Sequence, residues 1–207
     1  MYKRQDYEAL KYFTEFWPSD NTDPIERLFI QWGFSQVFPA KTMCAHVTTW
    51  NKNSSVKFRT DVAMMCKLGF DIKLADMSKD DETYCRTAVQ NYNRLKPVVL
   101  EGDMYRLVSP YGSNHTSTMY VGKDKDKAAV FAFDIHPRYA EKILPVRLQG
   151  LDADKMYRVK EINLMPGANS SLSGNGEVFS GEFLMNVGLN LFTAQQLNSR
   201  VIEVVAE

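Results

Sequence analysis

Trp17-Pro18-Ser19-Asp20-Asn21-Thr22-Asp23-Pro24-Ile25-Glu26-Arg27-Leu28 places two carboxylates, an amide and two hydroxyls between an aromatic, strand-like run and a helix start. Asp23 suits the N-cap, Pro24 the first helical position, and Glu26 stands three residues after the cap. Ile25, Leu28, Phe29 and Trp32 follow at helical spacing, and Gly33 reads as the stop. A polar cluster where a strand ends and a helix begins is where folds of alternating strand and helix keep their chemistry.

Working outward, residues 1 to about 100 keep that grammar. Residues 7–14 read as a short helix or an irregular approach segment. Val37-Phe38 and Met43–Val47 are short apolar runs that suit buried strands or strand ends. Asp61 to Leu68 reads as a helix stopped by Gly69, and Phe70–Leu74 alternates like a strand. Ser78, with Asp81 three residues on, opens another helix. Its packed face would be Tyr84, Cys85, Ala88, Val89, Tyr92 and Leu95, with Pro97 just past its end. After about Leu100 the pattern becomes short β runs: 104–108, 118–121, 128–135, 144–148, 156–162 and 200–205. Turns rich in Gly, Asp, Asn and Lys separate them, which predicts a small antiparallel β-sandwich. Residues 166–176 read as a polar loop.

The composition narrows the function classes. Twenty-five basic residues balance twenty-five acidic ones, so no charge excess points to nucleic acid or an anionic membrane. No run of eighteen apolar residues spans a membrane, and the start lacks the apolar segment of a signal peptide. Hydrophobic residues make up 44% of the 207, enough for a core, and 12% are aromatic. Aromatic richness in a neutral chain is compatible with sugar binding, core filling being the simpler reading. Cys44, Cys66 and Cys85 read as free buried thiols. Nothing has zinc-ligand spacing, so no metal or cofactor is expected.

Of the two acids in the opening stretch, Asp23 has a structural task as helix cap. Asp20 precedes the cap and follows Trp17. A carboxyl beside an indole loses solvent, which favours the proton-donating form a general acid needs. From the residues alone Asp20 is either a turn residue or a catalytic acid. His46 is a candidate site-wall residue, or a core histidine bonded to the backbone.

The run Ser19–Leu28, then Ile30-Gln31-Trp32-Gly33, Phe38-Pro39 and Met43-Cys44-Ala45-His46-Val47, resembles the α-galactosidases of glycoside hydrolase family 36. Asp61–Met64 with Leu68–Asp71, Tyr105–Pro110, Leu148–Asp152 with Tyr157–Val159, and Ser180–Glu182 to Gly188-Leu189 continue the likeness over nearly the whole chain. The resemblance implies a retaining glycosidase built on a (β/α)₈ barrel with a C-terminal β-sandwich. Residues 1–100 would be the last βα units of the barrel and 101–207 the sandwich.

It also implies that Asp20 is the acid/base and contacts substrate together with Trp17, while Asn21 and Asp23 support the loop. Retention of configuration needs a second carboxylate about 5–5.5 Å away. In the family that nucleophile lies upstream, in a Lys-Trp-Asp-type motif which these 207 residues do not contain. The glycine-rich substrate loop expected just before Arg4–Asp6 is absent too, and Cys44 is not its sugar-contacting cysteine. The expectation is therefore a C-terminal portion, inactive alone, of an enzyme acting on α-galactoside oligosaccharides, with no nucleic-acid or membrane partner. Homo-oligomer formation by the full-length enzyme stays open. Alternatives are a related α-galactosyl-transferring or N-acetylgalactosamine-directed enzyme, and a non-catalytic sugar-binding or assembly module paired with another polypeptide.

Overall fold

The computed structural model describes Glu8, residues 11–50 and residues 53–207. Tyr7, Ala9 and Leu10 of the 7–14 segment, and the stretch around Arg4–Asp6, lie outside the described residues.

Asp23 caps α1 (Pro24–Phe34) as the sequence requires: its Oδ1 accepts the Ile25 and Glu26 N–H groups, each at 3.0 Å. The helix runs one residue past Gly33 and is capped by Ser35, whose N–H bonds to the Gln31 carbonyl. Its buried face is not the expected one. Arg27, Leu28 and Gln31 are buried, whereas Ile25, Phe29 and Trp32 are half-exposed. Polar side chains go inside because each donates to a backbone carbonyl of a neighbouring segment. The Gln31 amide reaches the Val62 carbonyl at 3.1 Å.

Val37-Phe38 is no strand. Both N–H groups fold back onto the Phe34 carbonyl, burying Phe38 and leaving Val37 exposed. Strand β1 (Cys44–Thr48) follows, with Ala45 and Val47 buried. Helix α2 is Val56–Ala63, five residues earlier than the apolar run suggested. The Ser55 hydroxyl accepts the Phe58 N–H at 3.1 Å and sets its start. Gly69 is no helix stop, for it lies within β2 (Lys67–Asp71), which pairs in parallel with β1 and sets Gly69 opposite His46.

Helix α3 (Lys79–Glu101) begins at its Ser78 cap and continues through Pro97. Val98 and Val99 beyond the proline are buried, and that burial offsets the one backbone bond Pro97 cannot make. Gly102 ends the helix, where a Cβ would lie 2.4 Å from the Val98 oxygen and 2.5 Å from that of Val121. Only glycine fits that crossing.

Six antiparallel strands form the second part: β3 (Asp103–Val108), β4 (His115–Val121), β5 (Lys127–Asp134), β6 (Met156–Ile162), β7 (Val178–Ser180) and β8 (Asn198–Ala206). Their spatial order is β3-β4-β5-β8-β6-β7. β4, most of β5 and most of β8 are buried on both faces. Tyr120, Phe131, Phe133 and Val201 pack against α2 and α3, while Met119, Val130, Ile202 and Val204 face the opposite layer. That layer is built of extended segments and the short helix α4 (Gly181–Asn186) rather than regular strands. Of the expected 144–148 strand only Val146 pairs, in a bridge to Leu189.

A buried Asp61 ties the two parts together. It accepts from Lys57 at 2.5 Å, the Ser199 hydroxyl at 2.7 Å, the Tyr84 phenol at 2.8 Å and the Asn163 amide at 2.9 Å. A carboxylate in a dry interface persists only when so satisfied.

Candidate active site

Phe16 bridges Met43 in parallel, through bonds from Phe16 N to the Thr42 carbonyl and from Cys44 N to the Phe16 carbonyl. The residues after Phe16 therefore run beside β1 in the same direction. With β2 beyond, three parallel segments lie side by side, and Ser19–Asp23 falls at their carboxyl ends. Helices cover one face, where Phe16, Ala45 and Val47 pack with Phe34 and Phe38. The other face carries Glu15, Trp17, Cys44, His46 and Lys67.

The loop at the carboxyl ends is fixed by a ladder of short bonds. Ser19 Oγ accepts the Asn21 N–H at 3.1 Å, Asn21 Oδ1 accepts the Asp23 N–H at 2.9 Å, and Asp23 caps α1. Buried Thr22 meets the Thr48 hydroxyl at 3.2 Å, pinning the loop to the end of β1. Arg27 adds a further restraint. Buried at 4% exposure, its guanidinium donates to the Ser19 carbonyl at 3.2 Å and to the Cys44 carbonyl at 3.1 Å. Burial pushes the Arg27 pKa down from its ordinary value. Neither Arg27 nor Thr48 was singled out from the sequence. The only signal was a charged residue inside the helix's apolar spacing.

Asp20 is exposed. The loss of solvent beside Trp17 that the sequence argument relied on is therefore not the setting of this carboxyl. The half-buried Trp17 instead lies against His46, with ring centroids 3.9 Å apart. His46 Nδ1 is buried and has no hydrogen-bond partner, so the backbone-bonded core histidine is not what forms. Burial first, then the Arg27 charge, lowers the His46 pKa, and Asp71 opposes the shift. On the same face Glu15 pairs with Lys67, and the Lys67 bond holds Glu15 below the usual carboxylate range. Among the described residues no three His, Cys, Asp or Glu side chains gather to hold a metal ion.

Two family models divide the chain between them. The Melibiase model matches residues 3–102, and the Glycosyl hydrolase family 36 C-terminal domain matches residues 115–204. The chain belongs to glycoside hydrolase family 36. Alpha-galactosidase 2 of Hypocrea jecorina is 34% identical over 205 residues, which are 96% of this chain and 26% of that protein. Alpha-galactosidase AgaA of Geobacillus stearothermophilus is 30% identical over 83% of the chain and 24% of its own length.

The family 36 α-galactosidase AgaB of Geobacillus stearothermophilus superposes with a TM-score of 0.84 at 28% identity, over 96% of this chain and 26% of AgaB. A variant of AgaA solved in complex with raffinose gives 0.84 at 27%, over 96% of this chain and 27% of AgaA. The chain thus spans about a quarter of the length of these family 36 relatives. Its fold is the C-terminal part of a (β/α)₈ barrel followed by a small antiparallel β-sandwich, whose second layer here is the irregular one described above.

Proposed function

We propose that the chain is the C-terminal portion of a retaining α-galactosidase and that Asp20 is its acid/base. Residues 1–100 are the last barrel units and 101–207 the sandwich domain. One observation carries the reading: Asp20 is exposed at the carboxyl ends of the parallel segments, on a loop that Ser19, Asn21, Thr22 and Asp23 hold in place. This is the end of such a barrel where catalytic groups sit. Asp20 would protonate the departing glycosidic oxygen, and the resulting carboxylate would then take a proton from the water that releases galactose. Trp17 and His46 form the site wall. Substrates are α-galactosides of the raffinose kind, the class to which the AgaA variant is bound.

The nucleophile of a retaining mechanism belongs to a segment outside these 207 residues, so the purified chain should not turn over an aryl α-galactoside. Joined to an upstream segment carrying the Lys-Trp-Asp motif it should do so, and Asp20→Asn should abolish that turnover. Hydrolysis by the isolated chain that is lost in Asp20→Ala would overturn the split. Full activity of Asp20→Asn in the joined protein would overturn the assignment.

A second reading, an assembly module completed by another polypeptide, is favoured by two apolar clefts flanking the parallel segments. One is lined by Phe29, Ile30, Phe34 and Val37, the other by Phe70, Ile72, Leu74 and Val89. Size-exclusion chromatography with and without the upstream fragment separates the readings. A 1:1 complex supports assembly, and a stable, cooperatively melting monomer that ignores the fragment counts against it.

A further inference from the structure

The sandwich domain holds a cleft of about 660 Å³, on the face of β4 turned away from α2 and α3, that the catalytic reading does not use. Its walls carry Glu141, Lys142, Arg147 and Gln149, with apolar surface from Leu144 and Val146. At its floor lies His115, only 4% exposed. The imidazole is stacked on Phe192 with centroids 4.7 Å apart, and Nδ1 is 2.8 Å from Asp134 Oδ1.

Asp134 fixes the tautomer. Its carboxylate already accepts the Thr193 N–H, the Thr193 hydroxyl at 2.7 Å and the Asn198 amide at 3.0 Å. An acceptor so surrounded by donors assigns the neutral ring's hydrogen to Nδ1 and leaves Nε2 a lone-pair acceptor. Nε2 is buried with no hydrogen-bond partner, and the nearest carboxylate oxygen, Glu141 Oε1, is 3.9 Å away. Glu141 is itself an acceptor, held by the Arg138 N–H at 2.8 Å and the Asn114 amide at 3.1 Å. In the neutral ring two acceptors therefore face each other across a gap too wide for a direct bond. An orphaned buried acceptor is costly.

The charges select the ligand class. An anion entering the cleft meets Glu141, and a cation meets Lys142 and Arg147. A neutral polyol meets neither penalty. Its adjacent hydroxyls donate to Nε2 and to Glu141, accept from Lys142, Arg147 and Gln149, and leave its C–H face for Leu144 and Val146. We propose that this cleft is a second carbohydrate site, taking a glycosyl unit through a vicinal pair of hydroxyls. Nε2 is closed to bulk solvent, so the sugar reaches it as the Glu141 side chain swings aside. The inference rests on the cleft itself and not on the role of Asp20.

The test is a titration of the isotope-labelled 207-residue chain with galactose and with raffinose, following the imidazole C–H resonances of His46, His115 and His136. The expected result is a saturable shift of His115 with a dissociation constant on the order of 1 mM. Arg147→Ala and Glu141→Ala, both on the cleft wall, should weaken it about tenfold, and Asp20→Asn should leave it unchanged. A His115 signal unmoved by either sugar overturns the proposal. So does one moved equally by glycerol, one moved by inorganic phosphate alone, or one whose response survives both wall substitutions.

Discussion

The Arg27 guanidinium reaches the Ser19 carbonyl at 3.2 Å and so grips the backbone one residue before Asp20. Its other nitrogen holds the Cys44 carbonyl of β1 at 3.1 Å, so one buried cation fixes both the loop and the strand beside it. Arg27→Ala should cost about 1–3 kcal/mol for each carbonyl left unpaired, seen as a lower urea midpoint. Arg27→Lys should recover little, because one ammonium cannot span two carbonyls as a planar fork does. A wild-type midpoint for Arg27→Ala would show that the grip is incidental.

Asp61 is the corresponding fastening between the helices and the sheet. Removing it strands Lys57, Tyr84, Asn163 and Ser199 in a dry interface. Asp61→Ala should therefore destabilise by about 3–5 kcal/mol. Heat or urea should then separate the melting of the parallel part from that of the six-stranded sheet. A single unshifted transition would mean the interface stands on its apolar contacts alone.

Burial also ranks the thiols. It pushes Cys66 up to about 12 and Cys85 up to about 11, and raises the half-buried Cys44, whose pKa the Glu15 charge also raises. Since the thiolate is the reactive form, all three should react slowly with a disulfide reagent at pH 8 in the native protein. Cys44 should react first, and all three promptly once the chain is unfolded. Rapid labelling of Cys66 in native protein would contradict the packing around it.

The Asp23 cap was legible because capping is local: its Oδ1 accepts N–H groups two and three residues on, and the Ser19 and Asn21 bonds have the same short range. Five of the six strands were legible from short β runs and turn clusters, and β6 falls on the expected residues, whereas the three-residue β7 was not among those runs. The helix at 61–68 was misplaced because a short apolar run does not declare its period, and Val62 to Leu68 spans a helix end, a turn and a strand start. Ser55 was the signal that could have corrected it. Arg27 was illegible for a different reason. Its burial depends on two carbonyls brought near by pairing across the sheet, and no local pattern specifies that.

The Trp17–His46 contact gives the candidate site its own pH signal. Burial and Arg27 hold the His46 pKa below its ordinary value of 6.5, so the folded state prefers the neutral ring more than the unfolded chain does. The stability this contributes is present above 6.5 and falls away as the pH drops below it, where the unfolded state binds the proton first. With centroids 3.9 Å apart, protonation of His46 should also quench Trp17 emission. A fluorescence titration of native protein should show a step with its midpoint below 6.5. Both Trp17→Phe and His46→Gln should remove that step, and His46→Gln should flatten stability over the same range. If the step survives in His46→Gln, another group is responsible and the wall assigned to Trp17 and His46 loses its electrostatic support.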